Sequence, residues 1–237
     1  MSRGRSWPAR SPLARFSEAA RADLVALGRH VDYAPDTTLM RQGEHSTHVL
    51  ILLDGHVKVV TTSYNGKTVL LALRSRGDLV GELAGLDLSP RMATVQTAGP
   101  VSARALTSSE FHSFLETNPG AARTITGSVA AKLRLATERI LDYSSHDVPA
   151  RVARVLVRLL HDHGVRTPEG LALGIRVSQP ELASIISASE AAVSKALTDL
   201  RGRGVVATGY RRFTVTDVPA LMEQAGFPPK SRRIPYS

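Results

Sequence analysis

Residues 178–200 read SQPELASIISASEAAVSKALTDL and predict two short helices joined by a tight turn. Ser178 can cap the first helix, Glu181 completes a capping box three residues later, and Pro180 is tolerated in the first turn. The small residues 187–189 break the pattern. Each helix carries one apolar face, formed by Leu182, Ile185 and Ile186 in the first and by Val193, Ala196, Leu197 and Leu200 in the second. The pattern is typical of a helix-turn-helix, which lays its second helix in a DNA major groove, but a helical hairpin buried in a core fits this segment equally well.

The residues that follow the second helix favour the helix-turn-helix. Gly202 and Gly204 bracket its exit, and residues 205–207 and 213–215 read as two short strands around residues 208–212. Two helices followed by a hairpin predict a winged helix. Arg211 and Arg212 stand at its tip, where a wing meets phosphates, although adjacent surface arginines are often only solvated.

Charge is distributed in a way that suits a polyanionic partner. Residues 1–30 hold 6 Lys+Arg against 2 Asp+Glu, residues 31–146 hold 11 against 11, and residues 147–237 hold 13 against 8. The net charge of +9 therefore lies in the N-terminal segment and in the part that contains the helix-turn-helix. The neutral middle of the chain suggests a different task.

Several protein classes are excluded by composition. The 237 residues contain no cysteine, so disulfides, thiolate metal sites and cysteine nucleophiles are absent. No apolar run approaches the roughly 20 residues of a membrane-spanning helix, and no signal peptide follows the basic start, so we expect a soluble cytoplasmic protein without membrane contact. The Arg, Ser and Pro content of residues 1–14 predicts a disordered or loosely attached tail.

Residues 33–105 read as an antiparallel β-roll or barrel. Short β-rich runs are separated by turns such as Asp54-Gly55 and Asn65-Gly66, and glycines recur every 11 or 12 residues at positions 43, 55, 66 and 77. Regular turns between short strands favour an antiparallel roll over a parallel sheet. With the helices downstream, the expected fold class is α+β.

A possible anion site follows the roll's central strands. Gly81-Glu82 opens a short helical turn, and Arg91 enters a strand about ten residues later. Backbone amides at a helix start together with an arginine can hold a phosphate, and a nearby carboxylate can accept from a ribose hydroxyl. Alternatively, Glu82 and Arg91 simply pair with each other.

The combination of these motifs resembles the Crp/Fnr family of bacterial transcription regulators. The resemblance rests on GHVKV at 55–59, GDLVGELAGL at 77–86 and SPRMATV at 89–95, followed by a long helix and the winged helix. It extends over roughly residues 15–220 in unbroken order. It implies a DNA-binding homodimer, with RNA polymerase as a further partner, and a cyclic nucleotide such as cyclic AMP as a possible effector; no obligatory cofactor is expected.

The resemblance also implies roles for residues around the anion site. Gly81, Glu82 and Leu83 fall on the phosphate-binding cassette, and Arg91 falls on the arginine that neutralises the cyclic phosphate. Met92 stands where cyclic-nucleotide binders have Ser or Thr, so one hydrogen bond to the ligand is missing. On the long helix, Ala136 and Thr137 align with a Thr-Ser pair that reads the adenine, so one of the two hydroxyls is kept.

A dimer seam is expected on the long helix between residues 121 and 145. Apolar side chains recur at spacings of 4, 3, 4 and 3, which is the a/d pattern of a coiled coil, at Val129, Leu133, Ala136, Ile140 and Tyr143. Burial of this face against the roll is the alternative. Asp147 suits the N-cap of the next helix, which marks a hinge between domains.

The expected DNA contacts differ from those usual in the family. Glu190 replaces an arginine that reads guanine, and Ala191 has no polar atom, whereas Lys195 can bond a guanine edge or a phosphate. The full expected set is Ser178, Gln179, Ser189, Glu190, Ala191, Ala192, Ser194, Lys195, Arg211 and Arg212. The target sequence therefore stays open.

The expected organisation is a tail at 1–14, a roll at 15–118, a dimerisation helix at 119–146, a winged helix-turn-helix at 147–222 and a tail at 223–237.

Three alternatives remain: a DNA-binding dimer whose roll binds no effector, a nucleotide-binding module of a signalling complex, and a cupin-like metal-binding barrel. The histidines at 45, 48 and 56 lack the His-x-His spacing of cupins, and His161-x-His163 ends a helix, so no metal site is expected. No catalytic motif is recognisable, so we expect no enzyme.

Overall fold

The computed structural model describes residues 6–227, which form two compact units divided at Arg134 and Leu135. This division lies inside the long helix, whereas the sequence places the hinge at Asp147. Residues 1–5 and 228–237, which include much of the two expected tails, lie outside the described residues.

The first unit contains two antiparallel four-stranded sheets, with strand orders β1-β8-β3-β6 and β2-β7-β4-β5. All of their pairings are antiparallel, as a β-roll requires. The strands are β1 (Arg29–Tyr33), β2 (Thr38–Met40), β3 (Val49–Asp54), β4 (His56–Thr62), β5 (Thr68–Ser75), β6 (Leu79–Val80), β7 (Thr94–Thr97) and β8 (Val101–Leu106). The helices are α1 (Pro12–Arg15), α2 (Glu18–Ala26), α3 (Glu82–Asp87), α4 (Ser108–Thr117) and the first part of α5 (Pro119–Ser145).

Strand β3 explains how the roll and its helices share a core. Its side chains alternate between two clusters: Val49 and Ile51 pack with helical residues such as Phe111, whereas Leu50 and Leu52 pack with residues from both sheets. Because successive side chains of a strand point to opposite faces, burial of both faces requires an unbroken apolar run. The sequence VLILL meets this requirement.

The predicted turns occur where expected, but they serve different connections. Asn65-Gly66 turns the chain within the β4–β5 hairpin, whereas Gly55 carries the chain from β3 in one sheet to β4 in the other. Gly55 has φ +85°, and a Cβ atom there would lie 2.2 Å from the carbonyl oxygen of Pro100. Only glycine fits this corner.

The expectation of a loose tail over residues 1–14 is wrong for its described part from Trp7 onwards. Ser11 caps α1 by accepting from the Ala14 amide at 3.3 Å, and Leu13 is completely buried in the helical core cluster. The guanidinium of Arg76 stacks over the Trp7 ring at 4.2 Å. One leucine and one tryptophan therefore anchor a segment whose overall composition suggests disorder.

The second unit contains a four-stranded antiparallel sheet, against which helices α6 and α8 pack. Its elements after α5 are α6 (Val148–His163), β9 (Gly164–Thr167), β10 (Gly170–Leu173), α7 (Gln179–Ile185), α8 (Glu190–Gly202), β11 (Val206–Gly209), β12 (Arg212–Val215) and α9 (Val218–Gln224). Asp147 caps α6 with Pro149 in its first turn, as predicted. The predicted inward residues of α6 are all buried, namely Val152, Val155, Leu156, Leu159 and Leu160.

Three elements of this unit were not predicted, namely strands β9 and β10 and helix α9. The β9–β10 hairpin extends the predicted wing hairpin into the sheet β11-β12-β10-β9. Helix α9 begins at the Asp217 cap, and its Leu221 and Met222 are buried. These three elements are only four to seven residues long, so their apolar residues show no clear period.

Candidate functional site

Arg91 is the centre of the site in the first unit. It is only 4% exposed, and each of its three guanidinium nitrogens donates a hydrogen bond. Nε donates to Ser46 Oγ at 3.0 Å, Nη1 to the Gly81 carbonyl at 2.8 Å and Nη2 to the His48 carbonyl at 2.6 Å. These bonds connect the loop before β3 with the start of α3 and fix the plane of the guanidinium.

All of these partners are electrically neutral. Within residues 6–227, no carboxylate lies within ion-pairing distance of the Arg91 guanidinium. Burial lowers the pKa of Arg91, while the more distant charges of Glu44 and Glu82 oppose that shift. A buried cation without a paired anion is costly, so the site is electrostatically prepared for an anionic ligand.

Glu82 pairs with a residue that the sequence did not single out. Its carboxylate is 7% exposed and accepts from Lys132 Nζ of α5 at 2.5 Å. The alternative of a direct Glu82–Arg91 pair is therefore not what the structure contains. Lys132 lies four residues before Ala136, but a lysine on a helix surface gives no signal of its own in the sequence.

Gly81 has a backbone that this site requires. Its φ is +81°, and a Cβ atom there would lie 2.6 Å from Arg91 Nη1 and 2.5 Å from the terminal methyl of Met40. The glycine therefore lets the guanidinium approach the start of α3. Leu83 follows in the first turn of α3 and is half-buried.

His48 is the second residue at this site that sequence reasoning did not place there. Its Nδ1 lies 3.3 Å from Arg91 Nη2, so it acts as an acceptor when that nitrogen carries no proton. Burial lowers the pKa of His48, and the positive charge of Arg91 lowers it further. The sequence suggests for His48 only the metal-ligand role of the cupin alternative, because nothing local in the sequence links it to a residue 43 positions away.

The remaining expected ligand residues are exposed. Met92 is 65% exposed beside the buried Arg91. Ala136 and Thr137 lie on the part of α5 that belongs to the second unit, and both are exposed there. Their contacts with a ligand stay a prediction.

The helix-turn-helix in the second unit is built as predicted. Ser178 and Glu181 form the capping box of α7, with the Ser178 amide donating to Glu181 Oε2 at 2.8 Å. Ser189 caps α8 by accepting from the Ala192 amide at 3.2 Å. Every predicted inward residue of both helices is buried, namely Leu182, Ile185, Ile186, Val193, Ala196, Leu197 and Leu200.

The face of α8 opposite this core carries the expected DNA contacts. Four of them are exposed on the helix itself, at Glu190, Ala191, Ser194 and Lys195. Ser189 is exposed at the cap, whereas Ala192, Ser178 and Gln179 are partly buried. The first turn of α8 thus presents one acid and small side chains, and its second turn presents a lysine.

The wing is tighter than the sequence suggested. Gly209 pairs with Arg212 in the β11–β12 ladder, which leaves Tyr210 and Arg211 as the two loop residues. Arg211 has φ +55°, and Tyr210 is 85% exposed. Both arginines are exposed, and Arg212 is the first residue of β12 rather than part of the loop.

The apolar residues expected in the dimer seam are largely uncovered in the single chain. Leu133 is 69% exposed and Ile140 66%, and Ala136 is also exposed. Val129 is partly buried. Tyr143 is 37% exposed, and its hydroxyl donates to the Ile185 carbonyl within the same chain.

Residues 6–227 contain neither a metal-binding cluster nor a membrane span. In this range, the histidines and acidic residues form no group of three or more that could hold a metal ion. No helix in the same range is long and apolar enough to cross a membrane.

Comparisons with known proteins match both units. Residues 30–118 match the cyclic nucleotide-binding domain, and residues 150–224 match the Crp-like helix-turn-helix domain. The CRP-like cAMP-activated global transcriptional regulator of Mycobacterium tuberculosis is 29% identical over 209 residues, which cover 87% of this chain and 92% of that protein. The cAMP-activated global transcriptional regulator CRP of Salmonella typhimurium is 24% identical over 77% of this chain and 87% of its own.

A solved structure supports the same assignment. A CRP-family transcriptional regulator of Thermus thermophilus superimposes with a TM-score of 0.69 at 26% identity, covering 83% of this chain and 96% of the other. The matching relatives are transcription regulators rather than enzymes, in agreement with the expectation of no catalysis. With a cyclic nucleotide-binding domain before a Crp-like helix-turn-helix domain, the chain belongs to the Crp/Fnr family of transcription regulators.

Proposed function

We propose that this protein acts as a homodimer on double-stranded DNA and that a cyclic nucleotide, cyclic AMP or a close analogue, controls its DNA affinity. The proposal of a cyclic-nucleotide effector rests on one observation, the environment of the Arg91 guanidinium. This guanidinium is buried, and its hydrogen bonds go only to neutral partners. A cyclic phosphate would supply the missing negative charge.

The residues around Arg91 suit the rest of such a ligand. The amides at the start of α3, beside Gly81 and Leu83, would meet the phosphate, and Glu82 would accept from the ribose 2'-hydroxyl. Thr137, with Ala136 beside it, would contribute one hydroxyl towards the base. Lys132 already neutralises Glu82, so the ribose would share this carboxylate with the lysine or displace it.

The named relatives support the same class of ligand. Two of them are described as cAMP-activated regulators, and the chain aligns with both over more than three quarters of its length. Met92 indicates a lower affinity for the cyclic nucleotide or a different ligand, because its thioether cannot donate the hydrogen bond of a Ser or Thr hydroxyl.

The dimer is proposed from the uncovered apolar residues of α5. Leu133, Ala136 and Ile140 follow the a/d spacing and are exposed in the single chain. Exposed leucine and isoleucine at this spacing are characteristic of a helix that pairs with another helix. A second copy of α5 is the occupant that matches both the spacing and the exposure.

The DNA interface is proposed to consist of α8 and the wing. Lys195, Ser194, Glu190 and Ala191 would face the major groove, and Arg211 and Arg212 would contact phosphates. RNA polymerase is a further proposed partner, on the family resemblance alone. Because the named relatives are bacterial transcription regulators, the proposed location is the cytoplasm.

Calorimetry tests the effector proposal directly. Purified protein is titrated with cyclic AMP and cyclic GMP, and its affinity for its own promoter DNA is measured with and without each nucleotide. We expect binding of one nucleotide together with a change in DNA affinity. Arg91→Gln should abolish nucleotide binding, whereas Arg41→Gln, at an exposed arginine of the same unit, should not.

A second candidate function is a DNA-binding dimer without an effector. Two observations favour this candidate: Lys132 already neutralises Glu82, and each guanidinium nitrogen of Arg91 already donates to an acceptor of the same chain. Two results together would favour this candidate over control by a cyclic nucleotide. DNA binding would be tight and unchanged by either nucleotide, and calorimetry would detect no heat of nucleotide binding.

A further inference from the structure

Two side chains outside α7 and α8 hold the turn between these helices. The hydroxyl of Tyr143, near the end of α5, donates to the Ile185 carbonyl at 2.6 Å. Nη1 of Arg151, in the first turns of α6, donates to the Ile186 carbonyl at 2.9 Å. Ile185 is the last residue of α7, and Ile186 is its C-cap. Two consecutive carbonyls are therefore bound where the chain leaves α7.

These carbonyls need such partners, because the last carbonyls of a helix lack intrahelical donors. Helices commonly end with a glycine whose local hydrogen bonds satisfy these oxygens. Here Ser187 adopts the left-handed conformation at φ +52° instead, which is strained for a residue with a side chain. Donors from α5 and α6 stabilise the turn from outside, and the cation of Arg151 also suits the negative end of α7.

The turn controls the first residues of α8. Only residues 187–189 separate the bound carbonyls from Glu190, and Ser189 is the α8 cap. The buried residues that anchor α8 begin at Val193. Glu190 and Ala191, which precede this anchor and are exposed, therefore depend on the geometry of the turn for their position.

The end of α5 is itself tied firmly to α6. Asp142 accepts from Arg154 Nε at 2.8 Å, and Glu138 lies 3.3 Å from Arg158 Nη2. The Arg151 guanidinium also lies 6.0 Å from the centroid of the Tyr143 ring. Residues 135–145 of α5 thus belong to the same compact unit as the helix-turn-helix.

We propose that Tyr143 and Arg151 are positioning residues for DNA reading: they set the first turn of the recognition helix relative to the end of α5. They act through the Ile185 and Ile186 carbonyls and lie on other helices than α8. The proposal rests on the DNA-binding role of the helix-turn-helix and not on the proposed effector. It makes sequence-specific affinity sensitive to one hydroxyl group on the long helix.

The test compares Tyr143→Phe with the wild type on two DNA duplexes. One duplex carries a site selected by the wild-type protein from a random library, and the other is its scrambled sequence at the same salt concentration. Loss of one hydrogen bond should weaken binding to the selected site by about two- to tenfold. Binding to the scrambled duplex should not change, because phosphate contacts tolerate small misalignment.

The matched control is Tyr64→Phe, which removes a hydroxyl from a fully exposed tyrosine at the tip of the β4–β5 hairpin. It should leave both affinities unchanged. Hydrogen exchange adds a readout without DNA: the Ala188 amide, which donates to the Ala183 carbonyl at 3.1 Å, should exchange faster in Tyr143→Phe. In a double-mutant cycle, the losses of affinity for the selected site that Tyr143→Phe and Arg151→Met cause should not be additive.

Specific contrary outcomes would overturn the proposal. An unchanged ratio of selected to scrambled affinity in Tyr143→Phe is one, and an equal loss on both duplexes is another. A loss of the dimer in light scattering would assign Tyr143 to the seam alone. If the wild-type protein selected no DNA sequence, both this proposal and the proposed reading of DNA by α8 would be contradicted. If the protein bound no cyclic nucleotide, only the proposed effector would be contradicted.

Discussion

Lys132 Nζ and Glu82 Oε1 lie 2.5 Å apart and join helix α5 to the first residue of α3. The carboxylate is almost completely buried, and the side chain of the lysine is 29% exposed. This pair neutralises the acid of the cassette with a residue of the same chain, and it leaves Arg91 as a buried charge whose hydrogen-bond partners are all neutral. Because Glu82 is already neutralised and Arg91 is not, this part of the roll favours an anion over a cation as ligand.

Met92→Ser should strengthen cyclic-nucleotide binding. The serine hydroxyl can donate to the phosphate beside Arg91, and such a bond to a charged group is worth about 1.5 to 3 kcal/mol, or roughly tenfold or more in affinity. Stability should change by less than about 0.5 kcal/mol because Met92 is 65% exposed. Calorimetry measures the affinity. Met92→Ala is the matched control, and an equal gain in that variant would rule out the hydroxyl as the cause.

His48→Gln should reduce the acid sensitivity of folding. Burial holds the folded-state pKa of His48 below the ordinary 6.5, so the unfolded chain binds the proton more readily. The resulting loss in the free energy of unfolding is absent above pH 6.5 and grows as the pH falls below that value towards the folded-state pKa of His48. Urea midpoints at about pH 7.5 and about pH 5.5 should therefore differ less in His48→Gln than in the wild type. The exposed His45→Gln is the control, and identical pH dependence of His48→Gln and wild type would contradict the prediction.

Lys195→Ala should weaken specific DNA binding. Lys195 is exposed on the second turn of α8, where its ammonium group can reach a guanine edge or a phosphate. We expect a loss of about 1 kcal/mol or more on a selected site, measured by fluorescence anisotropy. Lys67→Ala removes an exposed lysine of the other unit and should have no effect. Equal affinities of Lys195→Ala and wild type would place α8 elsewhere on the DNA.

Arg211→Ala should reduce the salt dependence of DNA binding. The wing loop consists of Tyr210 and Arg211, so this guanidinium stands at its tip. Removal of one phosphate contact should lower the slope of log affinity against log salt by about 0.9. Affinities for selected and scrambled duplexes should fall together. A slope unchanged from that of the wild type would mean that the arginine is only solvated.

Ile140→Glu should dissociate the proposed dimer. Ile140 is 66% exposed in the single chain, and a carboxylate at this seam position would be buried against its copy. Light scattering should report the mass of a monomer. Val165→Glu alters an apolar residue that is 53% exposed but lies outside the seam, and it should remain dimeric. A dimeric Ile140→Glu protein would show that α5 is not the interface.

The sequence alone was sufficient for the main elements, because their signals are local. The capping box at Ser178 and Glu181, the cap at Asp147 and the glycine turns each depend on a few neighbouring residues, and all formed as predicted. The inward faces of α6, α7 and α8 were predictable for the same reason, since a helical period places them on one side. Short elements such as β9, β10 and α9 carry too few residues for a period to be visible.

The tertiary structure decided which distant side chains meet. Lys132 with Glu82, His48 with Arg91 and Tyr143 with the Ile185 carbonyl are separated by 50, 43 and 42 positions. No local pattern specifies such pairs, because they depend on how strands and helices pack. The sequence determined the parts of a β-roll and of a helix-turn-helix, and packing determined that Arg91 is buried without a paired carboxylate and that the turn before α8 is held from the end of α5.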